Sequence, residues 1–287
     1  MTPNLTHNEP RGESRTHARL QAHYAIEREL AERLRRAGRD ERRVLYTALY
    51  DELFRRVPDH PQLTRKEDAE TIAASVGERM MMLRRFLRAD STYLEIGAGD
   101  CALAREVAGG VRQVFAVDVS QEIAGGRALP ENCALVISDG CSIPLGDNAG
   151  GVDVAFSDQL MEHLHPDDAF EQLRNIYNAL KPGGVYLCLT PSRLTGPHDI
   201  SAYFDDVATG FHLKEYTAAE LVALFRRAGF SRFKILYGAR GRFLTLPVFT
   251  VKLVERALSA LPRRSAKKLA RLLPVRLLLG IKLIATK

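Results

Sequence analysis

The residues best placed for chemistry are three acids that each close an apolar run: Glu95 in "YLEIGAGDC", Asp118 in "FAVDVS" and Asp139 after "LVIS" in "SDG". Asp118 falls about twenty residues beyond the turn that holds Gly97 and Gly99. A carboxylate there suits the paired hydroxyls of a ribose, because it accepts from both, whatever the nucleotide. Gly97, Gly99 and Ala102 also satisfy the permissive glycine pattern of a dinucleotide-binding turn. Glu95 separates the readings. Beside a pyrophosphate it adds a further negative charge within a few ångströms, and each such pairing costs on the order of 4 kcal/mol at an effective dielectric of about 20. Near a cation the same interaction is attractive, so the turn is read as holding a positively charged nucleoside without phosphate.

Acids so spaced need strand ends to carry them. From Ser91 onward the apolar runs "TYLEI", "QVFAVD", "CALVIS", "VDVAFS" and "GGVYLCLT" alternate with helical segments "CALAREVAG", "SQEIAGG" and "PDDAFEQLRNIYNALK". This alternation means an α/β fold, a doubly wound, mostly parallel sheet with crossover helices on both faces and its ligand beyond the carboxyl ends of the strands. Helix "TAAELVALFRRAG" and strand "FSRFKILYG" continue it, and "GIKLIATK" reads as one more strand. Residues 239–275 then become a basic helical insertion between two strands. In front, Ile26, Leu30 and Leu34, then Leu45, Leu49 and Leu53, recur every four residues, and a third helix is expected from about Glu67 to Leu87. Residues 1–88 are read as a helical cap on a domain of residues 89–287, serving either as a packing extension or as a lid over substrate.

"YLEIGAGDC", "FAVDVS", "SDGCSIPL", "GGVDVAFSDQLMEHL" and "LKPGGVYLCLTPS" together resemble the ordered motifs of class I S-adenosylmethionine-dependent methyltransferases, especially the group that includes quinone-biosynthesis and other small-molecule enzymes. The resemblance covers roughly residues 91–238 and 280–287. It implies a Rossmann-like sheet of seven strands with an antiparallel last strand, and S-adenosyl-L-methionine as cofactor. It also implies that Glu95, Gly97 and Gly99 hold the methionine end, Asp118 the ribose, Asp139 the adenine amino group with Gly140 beside it, and that Asp158 lines the methionine and substrate side. Cys101 departs from the pattern, standing where the family usually has a small residue, often glycine.

Methyl transfer from a sulfonium is an in-line displacement with an already activated donor, so alignment is the protein's main task and no metal is expected. A base helps where the acceptor is a hydroxyl or an acidic carbon. "MEHLHPDD" offers His163, which either orients its loop or acts as the base, and His165, expected at the surface. The polar connection after the fifth strand offers His198, Asp199, Tyr203 and His212 as substrate contacts. The acceptor is expected to be a small molecule or a glycan- or lipid-linked metabolite, methylated at oxygen; carbon or nitrogen of a quinone or other metabolite is the alternative. A nicotinamide dehydrogenase and a non-catalytic cofactor-binding module are the rivals from other classes.

The remaining features set bounds. Four cysteines, with no C-x-x-C spacing, indicate neither a zinc site nor a disulfide framework, and the cytoplasm is the expected compartment. "MTPNLTHNEPRGESRTHARL" lacks the apolar core of a secretory signal, and "LLPVRLLLGIKLIA" is broken by Pro274, Arg276 and Lys282, short of the roughly 20 residues that span a bilayer. The net charge of +6 conceals an asymmetry: from Arg232 to Lys287 stand 14 Lys and Arg against the single acid Glu255, so the rest of the chain is net negative. Leucines alternating with Lys and Arg there fit a helix packed on the domain with a basic rim, or one lying peripherally on an acidic membrane. The scarcity of aromatic residues disfavours nucleic acid.

Overall fold

The protein is described by a computed structural model covering residues 15–61, 63, 69–119 and 128–287. Helix "SQEIAGG" and the expected start of the third helix at Glu67 lie outside the described residues. Helices α1 (His17–Arg36) and α2 (Arg39–Arg56) open the chain, α1 capped by the Thr16 side chain, which accepts from Arg19 N. Leu30, Leu34, Leu49 and Leu53 are all 1% exposed or less. Their four-residue spacing places each pair on one helix face. They join a single apolar cluster with Leu94, Ile96 and Phe115, so the cap and the sheet share one core. Helix α3 (Ala69–Leu83) packs on α4 (Ala102–Ala108), and its Met82 and Leu83 belong to a second cluster with Tyr93 and Val114. Tyr93 and Leu94 go to different clusters because neighbouring strand residues face opposite sides of a sheet.

The strands are β1 (Thr92–Ile96), β2 (Gln113–Asp118), β3 (Cys133–Ile137), β4 (Val152–Asp158), β5 (Leu180–Thr190), β6 (Arg232–Ala239), β7 (Arg242–Pro247) and β8 (Ile281–Thr286), in the order β3-β2-β1-β4-β5-β8-β6-β7. The first five pair in parallel, and β8 inserts antiparallel between β5 and β6. Eight strands form the sheet rather than seven. The eighth comes from the segment read as wholly helical: Ala239 pairs with Arg242 across a two-residue turn in which Arg240 and Gly241 both have positive φ (51° and 77°), the conformation that closes tight hairpins. The remainder of that segment is α7 (Val248–Ser259), α8 (Arg263–Ala270) and α9 (Leu273–Leu279).

Two further helices complete the layers. α5 (Pro166–Ala179) starts on the His165 cap with Pro166 in its first turn, and α6 (Ala218–Ala228) starts with a Thr217–Glu220 capping box. α2 is fastened to α5 by a buried fork: Arg42 Nε and Nη2 each donate at 2.6 Å to Asp168, and Tyr46 Oη donates to the same carboxylate at 2.7 Å.

Candidate active site

β1 lies between β2 and β4, where the winding of the sheet reverses and a crevice opens beyond the carboxyl ends of the strands. A cavity of about 610 Å³ occupies this place. Its floor is the β1 turn. Gly97 has φ 74°, a left-handed conformation that strains other residues, and a Cβ there would press to 3.3 Å from the Leu160 side chain. Gly97 N and Ala98 N donate to Val117 O, and Gly99 N donates to Asp118 Oδ2 at 2.8 Å, tying the turn to the end of β2. Cys101 takes φ 56° as it starts α4, the left-handed conformation that glycine adopts most easily, which accounts for the family's usual residue there.

The cap roofs the cavity. α2 contributes Tyr50, Asp51 and Phe54, and α3 contributes Thr71, Ser75 and Arg79. Arg79 reaches across to Asp158, with Nε 2.6 Å from Oδ2, and is steadied by the Ser75 hydroxyl. Against this one guanidinium the wall presents Asp51, Glu95, Asp100, Asp118 and Asp158. Glu95 is 6% exposed, and its buried Oε2 has no hydrogen-bond partner among the described residues. Burial, with Arg79 opposing and the neighbouring acids assisting, pushes its carboxyl up to about 8. A wall so rich in acid suits a cation and repels a pyrophosphate.

Glu95, Gly97, Gly99, Asp118, Gly140, Asp158 and His163 all line this cavity. Asp139 does not. Its Oδ1 accepts from Cys141 N, Ser142 N and Ser142 Oγ, and Oδ2 lies 3.3 Å from Arg43 Nε, so the carboxylate is spent on its own turn and on the cap. Burial alone would raise its pKa, but these partners outweigh it and lower it. The wall at that point is Ser138 and Gly140 instead.

His198, Tyr203 and His212 also lie off the cavity, because their loop folds onto α1. Glu27 Oε1 accepts from Phe211 N at 2.9 Å, Arg35 donates to the carbonyls of Thr209 and Gly210, and Asp199 Oδ2 accepts from Gly210 N. His198 N donates to Glu215, while Tyr203 ends a 3-10 turn with its ring beside Phe204. His212 is buried with Nδ1 2.8 Å from Glu215. Burial works against its protonation, but the Glu215 hydrogen bond and the nearby Glu162 and Asp199 prevail and raise its pKa. His165 caps α5.

His163 sits where the wall meets this loop. Its Nδ1 is 3.1 Å from Phe211 O and 2.9 Å from Tyr50 Oη. A carbonyl can only accept, so Nδ1 carries the proton and Nε2 keeps its lone pair. Burial and the adjacent His212 push the imidazole down to about 3. It is thus neutral and a poor proton acceptor, which favours orientation over full base catalysis. Glu162, His163 and His212 bring potential ligand atoms within 4.8 Å of one another, as do His23, Glu27 and His60. Either set has the donor types of a divalent-cation site. Both are also knitted by hydrogen bonds: Arg15 donates to His23 Nδ1, and Thr190 donates to Glu162.

Tyr50, Phe54 and Arg79 were invisible as site residues in the sequence. They lie on cap helices whose facing surface becomes known only with the fold, and the four-residue spacing of Ser75 and Arg79 is the sole local sign that they act together.

Comparison with known proteins bears on the same segment. Residues 94–188 match the family model described as a methyltransferase domain. A Mycolicibacterium smegmatis protein described as a probable S-adenosylmethionine-dependent methyltransferase is 33% identical over 138 residues, 48% of this chain and 51% of that one. The chain thus spans about half the length of the curated relative it matches. Phosphoethanolamine N-methyltransferase 1 of Haemonchus contortus, solved with phosphoethanolamine and S-adenosylhomocysteine, is 18% identical with a TM-score of 0.51, over 69% of this chain and 44% of that one. A SAM dependent methyltransferase from Archaeoglobus fulgidus is 18% identical over 75% of this chain and 94% of that one, TM-score 0.49. The fold is an α/β domain whose acid-lined turn has the chemistry to hold a nucleoside cation. With the family match, residues 94–188 of that domain are similar to S-adenosylmethionine-dependent methyltransferases, and S-adenosylmethionine is the cofactor that the likeness implies.

Proposed function

We propose that the protein transfers a methyl group from S-adenosylmethionine to a hydroxyl oxygen of a small-molecule or glycan- or lipid-linked acceptor. The observation that carries the reading is the buried Oε2 of Glu95, unpartnered among the described residues, in a wall with five acids and one arginine. The residues fit the cofactor as follows: Glu95 with Gly97 and Gly99 at its amino-acid end, Asp118 at its ribose, and the Ser138–Gly140 backbone near its base. Bound there, the cofactor supplies a sulfonium methyl as electrophile. A hydroxyl oxygen aimed at that carbon would form the new C–O bond as the C–S bond breaks with its electron pair kept by sulfur, and the hydroxyl proton would pass to water.

The chain's own share is placement. Tyr50, Phe54 and Arg79, on α2 and α3, wall one side of the reacting centre and limit its contact with solvent. His163 Nε2, neutral and uncommitted to Phe211, can accept the hydrogen bond of a hydroxyl and aim its oxygen. Nitrogen acceptors are disfavoured, because an acid-lined wall holds an amine protonated and without a lone pair. Calorimetry with S-adenosylmethionine, its demethylated product and NAD tests the first half; binding of NAD alone would overturn it. Transfer of labelled methyl to metabolite extracts, with the product's C–O bond identified by mass spectrometry, tests the second.

A further inference from the structure

We propose that the outer face of α7, α8 and α9 is a docking surface for an anionic lipid bilayer. Among the described residues ten large apolar side chains are exposed, and seven of them fall between Leu244 and Leu273. Phe249, Leu253, Leu261, Leu269, Leu272 and Leu273 are each between 40% and 61% exposed. Scattered exposed leucines need no account, but this concentration on three mutually packed helices, the turns between them and the strand before them does.

The charges are sorted in the same direction. From Arg240 to Arg276 the chain has ten Lys and Arg and one acid. That acid, Glu255, is 5% exposed and points inward, accepting from Ala218 N and Ala219 N at the start of α6. Arg263 and Lys267 are held by Asp206 on the loop after β5, which orients the face relative to the domain. Arg256, Arg264, Lys268 and Arg276 make no ion pair among the described residues, and Leu261, Arg264, Lys268 and Leu272 follow at helical spacing. Apolar side chains interleaved with unpaired cations, with no acid exposed among them, match the boundary between acyl chains and acidic headgroups.

Other occupants fit less well. A second copy would bring two strongly positive faces together. Nucleic acid would ask for rings to stack on, and Phe249 is the single exposed aromatic side chain of this face. No helix of the described residues is long and apolar enough to cross a membrane, so the contact is with the bilayer surface. β7, which leads into α7, is tied to the segment after α3, where Arg85 donates to Phe243 O and Thr245 Oγ1.

Co-sedimentation of the full chain with phosphatidylcholine vesicles, with and without phosphatidylglycerol, tests the proposal. Binding is expected to the anionic vesicles and to weaken at high salt. F249S/L253S/L272S and R264E/K268E should each reduce partitioning at least about tenfold, with cofactor affinity by calorimetry unchanged, which shows that the fold is intact. Absence of vesicle binding, vesicle binding indifferent to both variants, tighter binding to a single-stranded oligonucleotide, or a dimer dissolved by the apolar variant would each overturn it.

Discussion

Glu95 places a nearly buried ionisable group on the cavity wall, and its behaviour should report on the ligand. With the carboxyl pushed up to about 8 by burial, it is mostly protonated at neutral pH in the unliganded protein. A cationic ligand favours the charged form, so binding lowers the pKa and releases a proton. Affinity for S-adenosylmethionine is therefore expected to fall as pH drops below about 8 and to level off above it. E95Q should flatten that dependence and weaken binding roughly tenfold or more at pH above 8, as loss of a charged hydrogen-bond partner implies. Calorimetry in buffers of different ionisation enthalpy measures both the affinity and the proton count; an unchanged slope in E95Q would refute the assignment. Stability has the opposite sign. A carboxyl raised on folding costs stability above its unfolded value, fully so above about 8, so E95Q should raise the melting temperature of the unliganded protein at pH 8.5 and leave it unchanged near pH 4. His163 makes a separate prediction at the same scale. Held down to about 3, it should contribute no limb to the kcat profile near the ordinary histidine value of about 6.5, and H163Q should lower kcat without moving that profile.

At the scale of elements, a buried ion pair joins the cap helix α2 to α5. Arg42 is 5% and Asp168 1% exposed, and Tyr46 completes the set. Burial would raise the pKa of Asp168, but Arg42 and Tyr46 outweigh it and lower it. The stabilisation is therefore present above the unfolded value and lost as pH falls through the folded one. Removing one partner strands the other, so R42M is expected to cost about 3–5 kcal/mol at neutral pH, and R42M/D168L less than R42M alone. Chemical denaturation of the three proteins checks this; a milder effect of R42M than of the double variant would refute it. How far the elements were legible depended on how local their causes are. The strands carrying Glu95 and Asp118 could be read because apolar runs ending in an acid are contiguous, and the leucine stripes of α1 and α2 because a period near four is. β7 could not, since its turn is Arg240–Gly241 and lacks the Asn or Asp that marks such hairpins. Nor could the direction of Asp139, which depends on whether a short carboxylate closes its own turn or faces a ligand. The placement of His198, Tyr203 and His212 was set by contacts to Glu27 and Arg35, remote in sequence from the loop they anchor.

For the whole molecule, the division at about residue 88 marks a change of secondary structure without a break in the core. Leu30, Leu34, Leu49 and Leu53 lie in the same cluster as Leu94 and Ile96. Each of these leucines contributes about 1.5–3 kcal/mol by leaving water, set against the conformational entropy of ordering the cap helices. A protein reduced to residues 89–287 would expose the apolar surface that those leucines cover, lose the roof supplied by Tyr50 and Arg79, and leave Asp158 without its guanidinium. It is expected to be insoluble or to bind the fluorescent dye that reports exposed apolar surface, and to have no measurable affinity for S-adenosylmethionine. The full chain should unfold in one calorimetric transition, with calorimetric and van't Hoff enthalpies in agreement. Two separate transitions, or a truncated protein that folds and binds the cofactor normally, would show the cap to be an independent unit whose contact with the sheet adds little.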